Sequence, residues 1–250
     1  MPATTWTAYQ PNSLRPFVVA HRGASMHHRE SSPEAFDAAM RMGADAIETD
    51  VRRTRDGVFV CHHDETLQRT AGIDRMVADL SFAQFQRLAP EYAVRLTDVL
   101  ETLSGRCNLL LDLKLRDEAD IEALVGLLGV AGVDESVAIG VRTLPAARLV
   151  RRLAPTLTQL GLLEDPGEAT EFIATGGRWV RLRQPEVTSA RVDAIHTLGI
   201  PVLVMVGGTG TRHAFGEIDA ADIAALRQMG VDGFMLNDPA IATGQSGRAV

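Results

Sequence analysis

The sequence is poor in lysine, cysteine and net positive charge, and it has no long apolar run. Of its 25 basic residues, 24 are arginine and a single one, Lys114, is lysine. The net charge of −7 speaks against a nucleic-acid partner, since phosphate backbones are bound by a basic face. No apolar stretch approaches the roughly 20 residues that cross a bilayer, so no integral membrane segment is expected. Residues 1–16 lack a basic start followed by an apolar core, which predicts no secretory leader and a cytoplasmic location by default. Two cysteines, Cys61 and Cys107, are then expected to be free buried thiols rather than a disulfide. A glycine fingerprint of the nucleotide-binding type is also missing after the first apolar run, which disfavours an open doubly wound sheet.

What is present is regular alternation. With 250 residues, 46% of them hydrophobic, the chain fits one domain over 1–250 with a full core. Apolar strands are expected over 17–20 and 46–51, separated by a helix that Ser32-Pro33-Glu34 starts and Gly43 ends. Residues 52–57 are too few for the crossover that parallel neighbours require. Arg55-Asp56-Gly57 is turn chemistry, so the run 58–61 reads as the returning leg of a hairpin. That leg brings His62-His63-Asp64 back to the level of Glu48 and Asp50. Residues 65–95, with one helical patch over 81–88, read as an insertion over the mouth, within a break in the alternation at about 52–96. Beyond residue 97, strands over 108–115, 136–141, 158–163, 179–182, 201–206 and 233–236 alternate with helices. With the hairpin leg excluded there are eight parallel strands, which predicts an α/β fold of the (β/α)8 TIM-barrel type. The last helix is weakly encoded, and the N-terminal tail is the candidate to cover that side.

In such barrels the chemistry sits where strands end. Strand alternation points Glu48 and Asp50 the same way, and two such carboxylates repel unless one takes a proton or a cation lies between them. In Asn108–Leu115, alternation sends Asp112 and Lys114 inward at the mouth. Glu48, Asp50 and Asp112 would then offer oxygen ligands to one hard cation, Mg²⁺ or Ca²⁺ before Zn²⁺. A bare Glu-x-Asp is usually a solvated strand end. Beside His21, Arg22 and His63 that reading is weak. His21 and His63 approach from different segments, as an acid and a base should. His62 is expected to face away, and His27 and His28 to sit in a solvated loop. Arg22 offers a planar fork for phosphate oxygens, and the lone Lys114 joins it as a substrate-binding residue. Together these residues point to metal-assisted attack on a phosphate ester.

The chain resembles the glycerophosphodiester phosphodiesterases. The likeness runs through His21-Arg22-Gly23-Ala24, Glu30, Glu34-Ala35-Phe36, Gly43-Ala44-Asp45, Glu48-Thr49-Asp50-Val51, Asp56-Gly57, His63-Asp64, Leu67 and Arg69-Thr70. It continues through Leu96-Thr97-Asp98-Val99-Leu100, Leu111-Asp112-Leu113-Lys114 and Val231-Asp232-Gly233. The resemblance implies a phospholipase-C-like phosphodiesterase barrel acting on a small-molecule phosphodiester and releasing glycerol 3-phosphate and an alcohol. It implies His21 and His63 as acid and base, Glu48 and Asp50 on the metal, and Arg22 on phosphate. Four places depart from the family pattern. Arg29-Glu30-Ser31-Ser32 stands for Pro-Glu-Asn-Thr, and Asp112 for the usual Glu. Met205-Val206-Gly207-Gly208 stands for Trp-Thr-Val-Asn, and Leu236-Asn237 for Thr-Asp. Two alternatives accompany this reading: a phosphodiesterase for lysophospholipids or other diesters, and a non-catalytic binder of phosphorylated ligands.

Overall fold

The computed structural model describes residues 4–103, 105–133 and 135–244. Strand β1 (Phe17–His21) begins the barrel. Its Val18 and Ala20 join the layer under the helices while Val19 faces the interior, as alternation requires. Helix Pro33–Arg41 follows, with the Ser32 hydroxyl accepting from Ala35 N at 3.1 Å and proline in the first turn. Strand β2 (Ala46–Arg53) then pairs antiparallel with β3 (Phe59–Cys61), Val51 opposite Cys61. This is the expected hairpin.

The stretch after the hairpin holds more structure than one helical patch. Strands β4 (Thr66–Leu67) and β5 (Ile73–Met76) form a small antiparallel pair, too short to show any period in the sequence. Helix Phe82–Leu88 is closed at its start by a capping box of Ser81 and Gln84. Val60, Leu67, Leu80, Phe82 and Phe85 pack as a separate apolar cluster against the hairpin. Of this stretch, Arg69 reaches the central cavity.

Strands β6 (Asn108–Leu113), β7 (Val137–Val141), β8 (Thr158–Gly161), β9 (Trp179–Arg183), β10 (Val202–Met205) and β11 (Gly233–Leu236) complete the ring. Its order is β1, β2, β6, β7, β8, β9, β10, β11, closing again on β1, with all eight parallel. The chain is therefore a closed (β/α)8 barrel. Register sets the level of the chemistry: His21 lies opposite Glu48, and Asp50 opposite Asp112. β6 ends two residues earlier than expected, but Lys114 N still donates to Val51 O at 3.1 Å and keeps its side chain at the mouth.

The N-terminal tail closes the barrel floor rather than its side. Trp6, Tyr9, Phe17 and Trp179 form one aromatic cluster with ring centroids 4.8–5.7 Å apart. Trp6 Nε1 donates to Leu109 O and Ser136 O, and Trp179 Nε1 to Trp6 O. Buried Asp45 accepts from Val18 N and pairs with Arg15, while Asp232 accepts from Asn12 N and Val202 N. These two acids of the family-like segments are thus clamps on strand starts, far from any chemistry. Helix Ala240–Thr243 is a single turn, and the rest of the weakly encoded last helix, residues 245–250, lies outside the described residues. Cys61 and Cys107 are free and buried. Among the described residues no helix is long and apolar enough to cross a membrane.

Truncating Trp6→Ala removes the keystone of the floor and should cost about 3–5 kcal/mol. Thermal unfolding should therefore shift down, while ligand affinity at the opposite end of the barrel stays unchanged in calorimetric titration.

Candidate active site

The C-terminal mouth of the barrel brings together the seven candidate site residues: His21, Arg22, Glu48, Asp50, His63, Asp112 and Lys114 all line one cavity. Glu48, Asp50 and Asp112 are all buried, and one oxygen from each lies within 4.8 Å of the others. Glu48 Oε2 accepts from Arg22 N at 3.0 Å. Lys114 Nζ sits 3.0 Å from Asp50 Oδ1 and 2.7 Å from Asp112 Oδ2, and Arg142 forks onto both oxygens of Asp112. Arg22 Nε is 3.0 Å from Asp50 Oδ2, but neither atom makes a hydrogen bond, so that contact is coulombic only.

The electrostatics follow from burial and proximity. Burial, with Asp50 and Asp112 alongside, pushes the Glu48 carboxyl well above the usual range. Burial would raise Asp50 as well, but Lys114 and Arg22 outweigh it and hold Asp50 far below the ordinary value. Such a triad settles only with a proton or a cation among its oxygens. The buried Asp50 Oδ2, with no hydrogen-bond donor, and the all-oxygen donor set fit a hard divalent ion. A second trio, His213, Asp219 and Asp222, is only half buried, and Arg212 already pairs with both of its acids.

His21 and His63 stand at this cluster on separate elements. His21 Nδ1 lies 2.8 Å from Asn237 Oδ1, while Asn237 Nδ2 donates to Phe215 O at 2.8 Å. That second bond orients the amide, so Nδ1 of His21 carries the proton and Nε2 is left as an acceptor. Burial and the neighbouring Arg22 lower the His21 pKa to about 4. His63 Nδ1 is 2.7 Å from Asp64 Oδ1; Arg69 holds Asp64 and forks onto Glu30, which also accepts from Arg22. His62 turns away as expected, its ring edge-on to Phe85 at 5.5 Å. His27 and His28 are exposed in the loop, His27 paired with Asp238 at 3.2 Å.

These groups line a cavity of about 590 Å³, walled on its far side by Leu162, Arg181, Met205, Phe215 and Met235. A larger cavity of about 650 Å³ adjoins it and shares His63, Asp64, Lys114 and Arg142, but none of the three clustered carboxylates lines it. Strand-end position alone gives Arg142, Arg181 and Asn237 no role. The signal was there in Trp179-Val180-Arg181-Leu182-Arg183, where alternation puts both arginines on the inward face with the tryptophan.

Residues 21–241 match the Glycerophosphoryl diester phosphodiesterase family. The chain belongs to this family. It is 31% identical to the glycerophosphodiester phosphodiesterase of Caldanaerobacter subterraneus subsp. tengcongensis, covering 90% of this chain and 96% of that protein. A stretch of 73 residues is 49% identical to a protein of Mycobacterium tuberculosis named probable glycerophosphodiester phosphodiesterase 1, spanning 29% of this chain but only 27% of the relative. In three dimensions it is similar to an Oleispira antarctica phosphodiesterase solved with the product sn-glycerol-3-phosphate. The TM-score is 0.77 at 21% identity, over 93% of this chain and 98% of that one.

The departures from the glycerophosphodiester phosphodiesterase pattern have local physical reasons. Ser31 has φ +54°, a left-handed conformation that Asn adopts more readily. Here Ser31 N donates to Arg22 O at 2.9 Å and its hydroxyl lies 3.1 Å from that of Thr49, which hold the turn. Arg22 is left-handed too, at φ +57°, and this aims its backbone N–H at Glu48. Asp112 is shorter than Glu, yet it stays within the cluster, with Arg142 gripping it. Gly207 and Gly208 have φ +69° and +89°, and a Cβ on Gly207 would clash with the Ala214 carbonyl. That close approach folds the loop back so that Phe215 forms the cavity wall.

Replacing Asn237→Asp puts a carboxylate against His21 Nδ1. The His21 pKa, near 4 in the wild type, should rise by about 1–2 units, so the ring stays protonated to a higher pH. An NMR titration of the imidazole C–H resonances reads this directly; an unmoved midpoint would refute the assigned tautomer and contact.

Proposed function

We propose that the chain is a metal-dependent phosphodiesterase that cleaves glycerophosphodiesters to glycerol 3-phosphate and an alcohol. One observation carries this reading: three buried carboxylates converge in a single cavity, flanked by two imidazoles from different elements, in a member of this family. The Oleispira antarctica phosphodiesterase in complex with sn-glycerol-3-phosphate supports the choice of product.

Glu48, Asp50 and Asp112 would hold one divalent cation, Mg²⁺ or Ca²⁺. When bound, it offsets the charge on a non-bridging phosphoryl oxygen. Arg22 and Lys114, at the rim of the cluster, bind the phosphate as charged donors. His21, which burial and the neighbouring Arg22 hold neutral at neutral pH, takes the proton of the attacking hydroxyl on Nε2. The nucleophile is either water, which gives glycerol 3-phosphate directly, or the neighbouring glycerol hydroxyl, which expels the alcohol to leave a cyclic phosphate that water then opens to glycerol 3-phosphate. His63 is oriented by Asp64 and Arg69 and gives a proton to the departing alkoxide. His63 borders both cavities, so the alcohol it protonates leaves through the adjoining space. Two free buried thiols suit a reducing compartment, which supports a cytoplasmic setting.

Two measurements check this reading. EDTA should abolish hydrolysis of glycerophosphocholine, with Mg²⁺ or Ca²⁺ restoring it; activity that persists in excess chelator ends the metal-dependent account. His21→Ala and His63→Ala should each lower kcat by roughly 10²–10⁴ while glycerol 3-phosphate still binds. Faster turnover of lysophosphatidylcholine than of glycerophosphocholine would move the substrate to the lysophospholipids.

A further inference from the structure

The cavity wall opposite the carboxylates carries a cation with no obvious reason to be there. Strand β9 is four positions from β2 in either direction round the ring, so Arg181 faces the Glu48–Asp50 strand across the barrel. Six cationic side chains line the cavity, and five are committed. Arg22 and Arg69 engage Glu30, Lys114 and Arg142 engage Asp112, and Arg183 pairs with Glu186 at 3.2 Å. Arg181 alone has no carboxylate partner among the described residues. It is 8% exposed, and its one hydrogen bond among the described residues is a long one, from Nη2 to Leu162 O at 3.3 Å. Burial and the nearby Arg183 and Arg142 lower its pKa to about 10, which still leaves it charged at neutral pH.

A buried, unpaired charge among Leu162, Met205 and Met235 is costly to the fold. It is retained without visible structural return, since it ties no two elements together beyond that one weak contact. A guanidinium fork with open donors, facing a cavity, is matched to a tetrahedral oxyanion. We infer that Arg181 binds a non-bridging oxygen of the substrate's phosphoryl group, from the wall opposite Arg22 and Lys114, as a phosphate-binding residue outside the family-like motifs. This deepens the proposed function and rests on it only for the identity of the ester. The phosphate would then be gripped from two sides. The cations of the carboxylate wall also serve the acids there, whereas Arg181 serves the substrate alone.

The test is a binding and stability measurement on the full chain with saturating Mg²⁺, using inorganic phosphate and glycerol 3-phosphate as probes. Wild type, Arg181→Met and Arg181→Lys are compared by thermal unfolding and calorimetric titration. Wild type should bind both probes and be stabilised by them. Arg181→Met removes an unpaired buried charge, so without phosphate it should unfold at the same or a higher temperature. It should lose roughly tenfold or more in affinity for both probes. Arg181→Lys, which keeps the charge but not the fork, should fall between. Three results overturn the inference: unchanged phosphate affinity in Arg181→Met, no phosphate binding by wild type, or both variants unfolding early, which would make Arg181 a structural residue. A protein that binds phosphate through Arg181 but hydrolyses no glycerophosphodiester would refute the proposed activity and leave this assignment standing.

Discussion

Three carboxylates cannot share one buried corner without compensation, and the mouth of this barrel is built around that repulsion. Glu48 and Asp50 are two residues apart on one strand, and Asp112 sits directly across from Asp50 on the next. Parallel register leaves them no way to separate. The protein surrounds them instead: Arg22 and Lys114 lie against Asp50, Lys114 and Arg142 against Asp112, and a backbone N–H against Glu48. Even so, Glu48 keeps a strongly raised proton affinity and one oxygen of Asp50 keeps no donor. What remains unsatisfied is a demand for one more positive charge in an oxygen-lined space.

The loops around this corner answer to it. Arg22 and Ser31 take up left-handed conformations, which non-glycine residues usually avoid. The gain is that the Arg22 backbone can reach Glu48 while its side chain reaches Asp50 and Glu30. Glu30 then accepts from both Arg22 and Arg69, and Arg69 reaches on to Asp64, which orients His63. A continuous chain of charged contacts therefore links the loop after the first strand to the stretch after the hairpin. On the other side, the double-glycine turn lets Phe215 and Asn237 meet, and through them His21 is held in one tautomer. The two imidazoles are oriented by different chemistry, an amide for His21 and a carboxylate for His63.

The floor of the barrel shows the complementary division of labour. The chain has only 5% aromatic residues, yet both tryptophans, one tyrosine and a phenylalanine are gathered under the strands. The stability there comes from dispersion and apolar burial, far from the charged end, so the mouth can carry unpaired charge and strained backbone without the fold giving way.

Much of this was legible from residue order because β periodicity is local. Alternation alone placed Glu48, Asp50, Asp112 and Lys114 inward, and six intervening residues were too few for anything but a hairpin, so His63 had to return to that level. Eight strand–helix units implied closure into a barrel. What residue order could not decide depended on contacts between parts distant in the chain. The tail's place beneath the floor is set by Trp6 meeting Trp179, the grip of Arg142 on Asp112 by the register of neighbouring strands, and the His21 tautomer by the Asn237 bond to Phe215. Whether an inward arginine such as Arg181 finds a partner is likewise a property of the closed ring. Alternation says which way a side chain points, and only the folded neighbours say what it meets.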